Sequence, residues 1–278
     1  MSQRRNPGKP KMTKRDHQRA RPPQKVTRSP QRDGVGGDQV EGRQAVRELL
    51  KAGRRRVHEI YFDQAIERVG IVAEIATLAL QRRVPLKEIS SSKFDLMCRS
   101  ESSQGVIALA EPLRYLDLES IFSIDSHRKI KRFVVLDHIT DPRNLGAILR
   151  SAECAGFDNV VLPERRSTKI TPTVAKTSAG AIEYLNFALV PGVASALEEL
   201  KKRDVWSVGL SPDATESLWD VDLLDSSVAL VLGAEGKGLS RLVQQRCDYL
   251  VAIPQVGSIG SLNVSAAAAV AMFTISRK

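Results

Sequence analysis

Hydrophobic positions along this chain follow two regimes. Between residues 39 and 110 they form short elements of mixed type. Ala45, Val46, Leu49 and Leu50 recur at helical spacing within Arg43–Ala52, and Gly53 is a natural stop. Residues 57–62 read as a strand and residues 67–79 as a second helix. Val84-Pro85-Leu86 leads into a serine-rich turn at 90–92, and residues 104–110 read as another strand. Beyond residue 132 the apolar runs become nearly continuous. Phe133-Val134-Val135-Leu136-Asp137, Val160-Val161-Leu162 and residues 205–210, 228–232 and 249–253 read as buried parallel strands. Helical segments separate them: one from Asp141-Pro142 to Gly156, one over 192–202 and one over 239–245. Asp141 is a good N-cap, Pro142 suits the first helical position and Gly156 suits the residue after the end.

This alternation predicts an α/β protein whose larger unit, residues 132–278, has a parallel sheet covered on both faces. A smaller α/β unit occupies 38–112. Residues 113–131, after the strand-breaking Pro112, form a linker with some helix. No internal repeat is visible.

Charge changes the picture at the N-terminus. The 278-residue chain carries a net charge of +10. Residues 1–37 hold eleven Lys or Arg against Asp16 and Asp33, whereas the rest holds 31 basic and 30 acidic residues. That Pro-, Gly- and Gln-rich segment cannot build a core and is expected to be a disordered extension. It reads either as a solvated tail or as an arm gripping RNA phosphates non-specifically. It loosely resembles an organelle transit peptide, but its prolines and lack of apolar spacing suit an amphipathic helix poorly. The folded remainder is nearly neutral, so a nucleic-acid site there must be a local patch. Cys98, Cys154 and Cys247 lack ligand spacing, which argues against a disulfide scaffold and against a zinc site. A reducing, cytoplasmic setting without a metal is the expectation. No apolar run is long enough to span a bilayer, and no apolar stretch follows the basic N-terminus as a secretory signal requires.

Three segments fall at the C-terminal ends of predicted strands, where open α/β sheets bind ligands. In the first, Asn144 lies in the opening turn of a helix and Arg150 near its middle, with Gly146 four residues before the arginine. That glycine leaves room beside Arg150 for something large, although Glu153 is also placed for a simple surface pair. The second, Gly233-Ala234-Glu235-Gly236-Lys237-Gly238, is neither a dinucleotide fingerprint nor a Walker loop. It reads equally as a ligand loop or a tight strand-to-helix turn. The third runs from Ile253-Pro254-Gln255 through Gly257 and Gly260 to Ser261-Leu262-Asn263. Ser261 or Asn263 is placed to cap a last helix, whose Ala266–Ala269 face suits a dimer interface or a tight internal crossing.

In this order and these strand contexts, the three segments resemble motifs 1, 2 and 3 of the SpoU/TrmH family of RNA ribose 2′-O-methyltransferases, of the SPOUT superfamily. Lys169–Val174 and Ser178–Ala181 also look like that family. Val40-Glu41-Gly42-Arg43 and Gln104-Gly105-Val106 resemble the ribosomal-protein-L30e-like substrate domain of its rRNA-modifying members.

The resemblance implies a homodimer with a deep C-terminal trefoil knot, a topology nearly absent elsewhere. It implies S-adenosyl-L-methionine (AdoMet) as cofactor, bound by Gly233, Ala234, Glu235, Gly236, Ile253, Gln255, Ser261, Leu262 and Asn263, with Leu210 beside them. It implies Arg150 at the target ribose, often from the partner subunit, as a base or as an electrostatic clamp. Asn144 would orient the nucleotide or Arg150, Glu235 would position site groups, and Ser261 and Asn263 would hold the third loop. The implied substrate is rRNA, a large-subunit guanosine first, with tRNA as the alternative. A non-catalytic RNA-binding or ribosome-assembly protein of the same fold is the reading from another class. His138, where a small residue is more usual, Gln255, where methionine is common, and Lys237, in place of a frequent glutamate, depart from the family pattern.

Overall fold

The computed structural model describes residues 34–100, 103–124, 129–165 and 167–277. Most of the basic N-terminal segment therefore lies outside the described residues. In chain order the elements are β1 (Gln39–Glu41), α1 (Arg43–Ala52), β2 (Val57–Asp63), α2 (Ile71–Gln81), β3 (Leu86–Ile89), α3 (Ser91–Met97), β4 (Val106–Ala110) and α4 (Leu118–Ile124). There follow β5 (Arg132–Asp137), α5 (Pro142–Cys154), β6 (Asn159–Pro163), α6 (Pro172–Thr177), β7 (Asn186–Val190), α7 (Val193–Lys201) and β8 (Val205–Leu210). The last are β9 (Glu216–Ser217), β10 (Ser227–Gly233), α8 (Arg241–Arg246), β11 (Tyr249–Ala252) and α9 (Val264–Ser276).

The first four strands make a sheet of order β1-β4-β2-β3, with β4 antiparallel to both neighbours and β3 parallel to β2. Its core is the apolar stripe of α1 packed with Val72, Ile75 and Ala79 of α2 against Ile60, Phe62, Val106 and Ala108. The helix expected over 67–79 starts later, at Ile71, behind Gly70. The segment read as a serine-rich turn at 90–92 instead opens α3, directly after β3. Ser90 sits at the N-cap of α3, so its serines mark a helix start and not a loop.

The other seven strands form a wholly parallel sheet of order β7-β6-β5-β10-β8-β11-β9. Period-2 alternation gives each central strand two buried faces. Val134, Leu136, Leu230 and Leu232 meet α5, α6 and α9 on one side, through Leu145, Ile148, Val174, Ala271 and Met272. Phe133, Val135, Ala229 and Val231 meet α4, α7 and α8 on the other, through Ile121, Leu197, Leu200 and Val243. After β5, β6 and β7 extend the sheet in one direction. The chain then crosses to build β8, β10 and β11 on the opposite side of β5. The carboxyl ends of β5, β8, β10 and β11 therefore surround a topological switch, the usual place for a ligand.

Residues 34–37, assigned from the sequence to the disordered extension, belong to the fold. Val35 is fully buried in the core of the large sheet and exchanges backbone bonds with Leu113, and the Gly36 N–H donates to the Ile170 carbonyl at 2.8 Å. Composition alone could not reveal this, because one buried valine sets the boundary. The two sheets are also pinned by charge. The fully buried guanidinium of Arg55 donates to Glu183 Oε1 at 3.0 Å, to the Glu111 carbonyl at 2.6 Å and to the Gly37 carbonyl at 2.5 Å. Burial pushes the Glu183 carboxyl above the ordinary range, and Arg55 pulls it back.

Candidate active site

Helix α5 opens the site. Asp141 caps it by accepting from the Arg143 N–H at 3.0 Å and the Asn144 N–H at 3.4 Å, with Pro142 in the first turn. This capped start holds Asn144 at the carboxyl end of β5, and the residue is buried. Its side chain is bonded at both ends. Nδ2 donates to Glu235 Oε2 at 3.0 Å, and Oδ1 accepts from Asn263 Nδ2 at 3.0 Å. Asn263 in turn caps α9, its Oδ1 accepting from the Ser265 N–H at 2.8 Å and the Ser265 hydroxyl at 2.6 Å. The two sequence readings of Asn263, helix cap and site residue, are thus both satisfied by opposite ends of one amide. One hydrogen-bonded line joins the loop after β10, the start of α5 and the start of α9.

The loop after β10 folds back sharply. Ala234 and Gly238 exchange backbone bonds at 3.1 and 2.8 Å, and Gly236 at the tip has φ of 76°. A side chain at Gly233 would collide with the backbone of Gly238 and Leu239, so only glycine permits this return. The turn leaves Glu235 directed at Asn144. Its far end is tied down by Asp137, buried at the end of β5, whose Oδ2 accepts from the Ser240 N–H at 2.7 Å. Asp137 Oδ1 lies 2.5 Å from His138 Nδ1. His138 has φ of 65°, a left-handed backbone that glycine adopts freely and that histidine enters more readily than most other side chains.

Between these loops lies a cavity of about 380 Å³. Its walls include Leu210 at the end of β8, Gly233, Ala234, Glu235 and Gly236 after β10, Ile253 and Gln255 after β11, and Ser261, Leu262 and Asn263 before α9. The structure brings all ten together on one concave surface. Leu232, Gly238, Val264 and Ala267, from the same segments, also line it, and Ser211 and Pro212 complete it and were not singled out from the sequence. Ser211-Pro212 directly follows a strand already read correctly, so its place beyond the strand end was an available signal. Val264 and Ala267 share a helix face, which becomes informative only once α9 is known to turn that face inward.

Arg150 lies elsewhere. Six residues along α5 amount to about 9 Å of rise and a rotation of roughly 240° from Asn144. It lines a second cleft with Gln44 and Arg47 of α1, Glu153, Cys154 and Tyr184. Its side chain is exposed and makes no ion pair or hydrogen bond among the described residues, with Glu153 or any other group. The reading of Gly146 as room beside Arg150 needs correction. A Cβ there would overlap the Thr177 side chain and lie 3.1 Å from the Ser178 nitrogen, so the glycine admits α6 against α5 and not a ligand.

Chemically, the cavity offers apolar walls, backbone amides and carbonyls, and one carboxylate at its edge. That combination suits a flat heterocycle with hydrogen-bonding edges better than a bare anion. No cluster of His, Cys, Asp or Glu among the described residues is arranged to hold a metal ion. The cysteines are free, and burial pushes Cys247 up to about 12 and also raises Cys154, so neither is poised as a thiolate nucleophile.

The model of the SpoU rRNA Methylase family matches residues 131–273, and that described as RNA 2′-O ribose methyltransferase substrate binding matches residues 39–116. The chain is 36% identical over 242 residues to YacO of Bacillus subtilis strain 168, assigned to the TrmH family of tRNA/rRNA methyltransferases; the match covers 87% of this chain and 96% of YacO. A Staphylococcus haemolyticus protein with the same family assignment is 35% identical over 240 residues, covering 86% and 95%. Among solved structures, the SpoU methyltransferase AviRb of Streptomyces viridochromogenes in complex with AdoMet superposes with a TM-score of 0.70 at 23% identity, covering 86% of this chain and 89% of that one. An AdoMet-bound rRNA methyltransferase from Sinorhizobium meliloti gives 0.70 at 22% identity, covering 86% of each chain. At those identities the two structures establish a shared fold.

Proposed function

The chain belongs to the SpoU/TrmH family of RNA methyltransferases, and on that premise we propose that it transfers a methyl group from AdoMet to a ribose 2′-hydroxyl of rRNA, a large-subunit guanosine first. The observation that carries this reading is the coincidence of the ten expected cofactor residues with one cavity, closed by the Glu235–Asn144–Asn263 hydrogen-bonded line. The match of residues 39–116 to a ribose-methyltransferase substrate-binding description supports the choice of ribose over base. Transfer to tRNA is the second reading, favoured by the joint tRNA/rRNA assignment of the relatives.

The cavity fits AdoMet by the chemistry of its walls. Leu210, Ile253 and Leu262 would enclose the adenine, and the backbone of Gly233–Gly236 and of 253–263 would bond its edge and the ribose. Bound there, AdoMet supplies a methyl group already activated on a sulfonium. The protein has two remaining tasks: to align a weak nucleophile and to manage its proton. Asn144 and Glu235 fix the loops that set the alignment. Arg150 would meet the attacking ribose. A guanidinium is almost always protonated, so stabilising the developing alkoxide and a neighbouring phosphate costs less than acting as a base.

Because Arg150 faces a different cleft from the cavity, the reading requires a second protomer to bring it there. The outward side of the third loop and of α9 suits such a homodimer. Val256, Ile259, Val270 and Phe273 are exposed apolar side chains within this loop and helix. The trefoil knot belongs to the same proposal, as does work in the cytoplasm; no helix among the described residues is long and apolar enough to cross a membrane.

Titrating the pure protein with AdoMet tests the cofactor, and mapping ribose methylations in cells with and without the gene tests the target. Absence of AdoMet binding refutes the enzyme reading. Cofactor binding with no lost methylation favours a non-catalytic RNA-binding protein.

A further inference from the structure

Helix α6 has no part in the cavity, although the segment that forms it looks like the family. Its position is distinctive. Thr177 fills the notch at Gly146 of α5, and its hydroxyl donates to the Pro142 carbonyl at 3.4 Å. At its other side, Pro172 approaches within 3.6 Å of the Cβ position of Gly37, and Lys176 Cγ within 3.8 Å of that of Gly42. The helix is a wedge between the small sheet and the large one, touching the Gly42-Arg43 turn on one side and the helix that carries Asn144 on the other.

The helix and the elements it touches carry cations without partners. Lys176 lays its stem along Gly42, and its ammonium makes no ion pair or hydrogen bond among the described residues. Arg143, in the first turn of α5 next to Asn144, is exposed with an equally unpaired side chain. Arg43 spends only its Nε, on the Gln104 carbonyl at 3.0 Å. Asp141, the acid nearest Arg143 in sequence, has its carboxylate taken by backbone N–H groups. Elsewhere on the small sheet and its helices many cations are matched, Arg47 with Glu48, Lys51 with Glu74, Arg68 with Glu88, Lys87 with Glu59 and Arg99 with Asp38, while the unmatched Arg56, Arg83 and Lys93 lie apart from α6 in sequence. In a folded region with almost no net charge, a run of unmatched cations leading to the site is a local feature that fits an extended polyanion.

We propose that this surface is a phosphate track: Arg43, Lys176 and Arg143 hold successive backbone phosphates of the RNA strand and lead it from the small sheet, over α6, to the site. The proposal rests on reading the chain as an RNA methyltransferase, because that reading supplies the polyanion. The contacts are to the backbone, so they position the strand and carry no base preference.

The test compares Lys176→Gln, Arg143→Gln and the double variant with the intact protein, with Lys202→Gln, at the end of α7 on the other face, as control. RNA affinity is measured by fluorescence anisotropy across a salt series, beside AdoMet affinity. Each phosphate contact to a single strand contributes about 0.7 to the slope of log K against log salt, about a fivefold affinity at ~0.1 M salt. Each single variant should lose about that much in slope and affinity, and the double variant about twice the slope. AdoMet affinity and the Lys202→Gln variant should not change. Wild-type slope and affinity in both single variants overturn the track, whatever the enzyme assay shows. Loss of RNA affinity as expected, in a protein that methylates no RNA, keeps the track and overturns the enzymatic reading instead.

Discussion

Asn144→Asp is the sharpest perturbation of the site. Aspartate keeps the shape of the side chain and the acceptor facing Asn263 Nδ2. Towards Glu235 it replaces a donor by an oxygen, at a place where the present separation is 3.0 Å. Two unit charges at that distance repel by about 1.4 kcal/mol in water and about 5.5 kcal/mol at an effective dielectric of 20. Glu235 is exposed, so the cost lies near the watery end. Losing a hydrogen bond to a charged group adds about 1.5 kcal/mol, giving about 3 kcal/mol in all, or roughly a hundredfold. Asn144→Ala loses the bonds without the repulsion and should cost roughly tenfold. The assay is calorimetric AdoMet affinity at neutral pH, with thermal unfolding measured alongside to show that the fold is retained. If Asn144→Asp binds AdoMet as well as Asn144→Ala does, the line from Glu235 to Asn263 does not hold the cofactor loops.

Arg150→Ala should leave folding and AdoMet affinity unchanged while turnover falls by at least about a hundredfold, the scale of one lost electrostatic stabiliser; near-normal turnover refutes its role. Gly146→Ala must push Thr177 and the Ser178 backbone away. It should lower stability by about 1–3 kcal/mol, read by denaturant unfolding, and an unchanged midpoint refutes the packing account. Arg55→Ala leaves the buried Glu183 carboxylate uncompensated and should cost about 3–5 kcal/mol. Burial already raises that carboxyl, so the folded state holds its proton more tightly than the unfolded state. The variant should therefore be least destabilised in acid and lose stability as pH rises above the ordinary glutamate range; a pH-independent loss contradicts this.

Much of the large sheet was legible because its signals are local. Asp141-Pro142 announces the start of α5, and Gly156 its end. β5 and β10 are runs of apolar residues with no competing period. The missed elements are those whose identity depends on neighbours far away in sequence. α6 is six residues long, too short for a 3.6-residue period to register, and it is held by Gly146 and Gly42. β7 offers only Phe187-Ala188-Leu189-Val190 between the 3₁₀ turn at Ala181–Glu183 and Pro191, and it becomes a strand by pairing with β6. Val35 is a lone apolar residue among glycines and charges, yet it completes the large core.

The site shows the same division. Its loops could be found by their order along the chain. The Asn144 amide linking Glu235 to Asn263 could not, because it joins positions 91 and 119 residues apart. Gly146 was misread for the same reason: a glycine shows that space is needed, and only the folded chain shows what fills it.

The most direct test of the account is methyl transfer itself. Purified protein would be incubated with methyl-labelled AdoMet and unmodified rRNA or tRNA, and the RNA digested to nucleosides. The account predicts label in a 2′-O-methylated nucleoside from the wild-type protein and almost none from Arg150→Ala. Label on a base, or no label from a protein that binds both AdoMet and RNA, would contradict it.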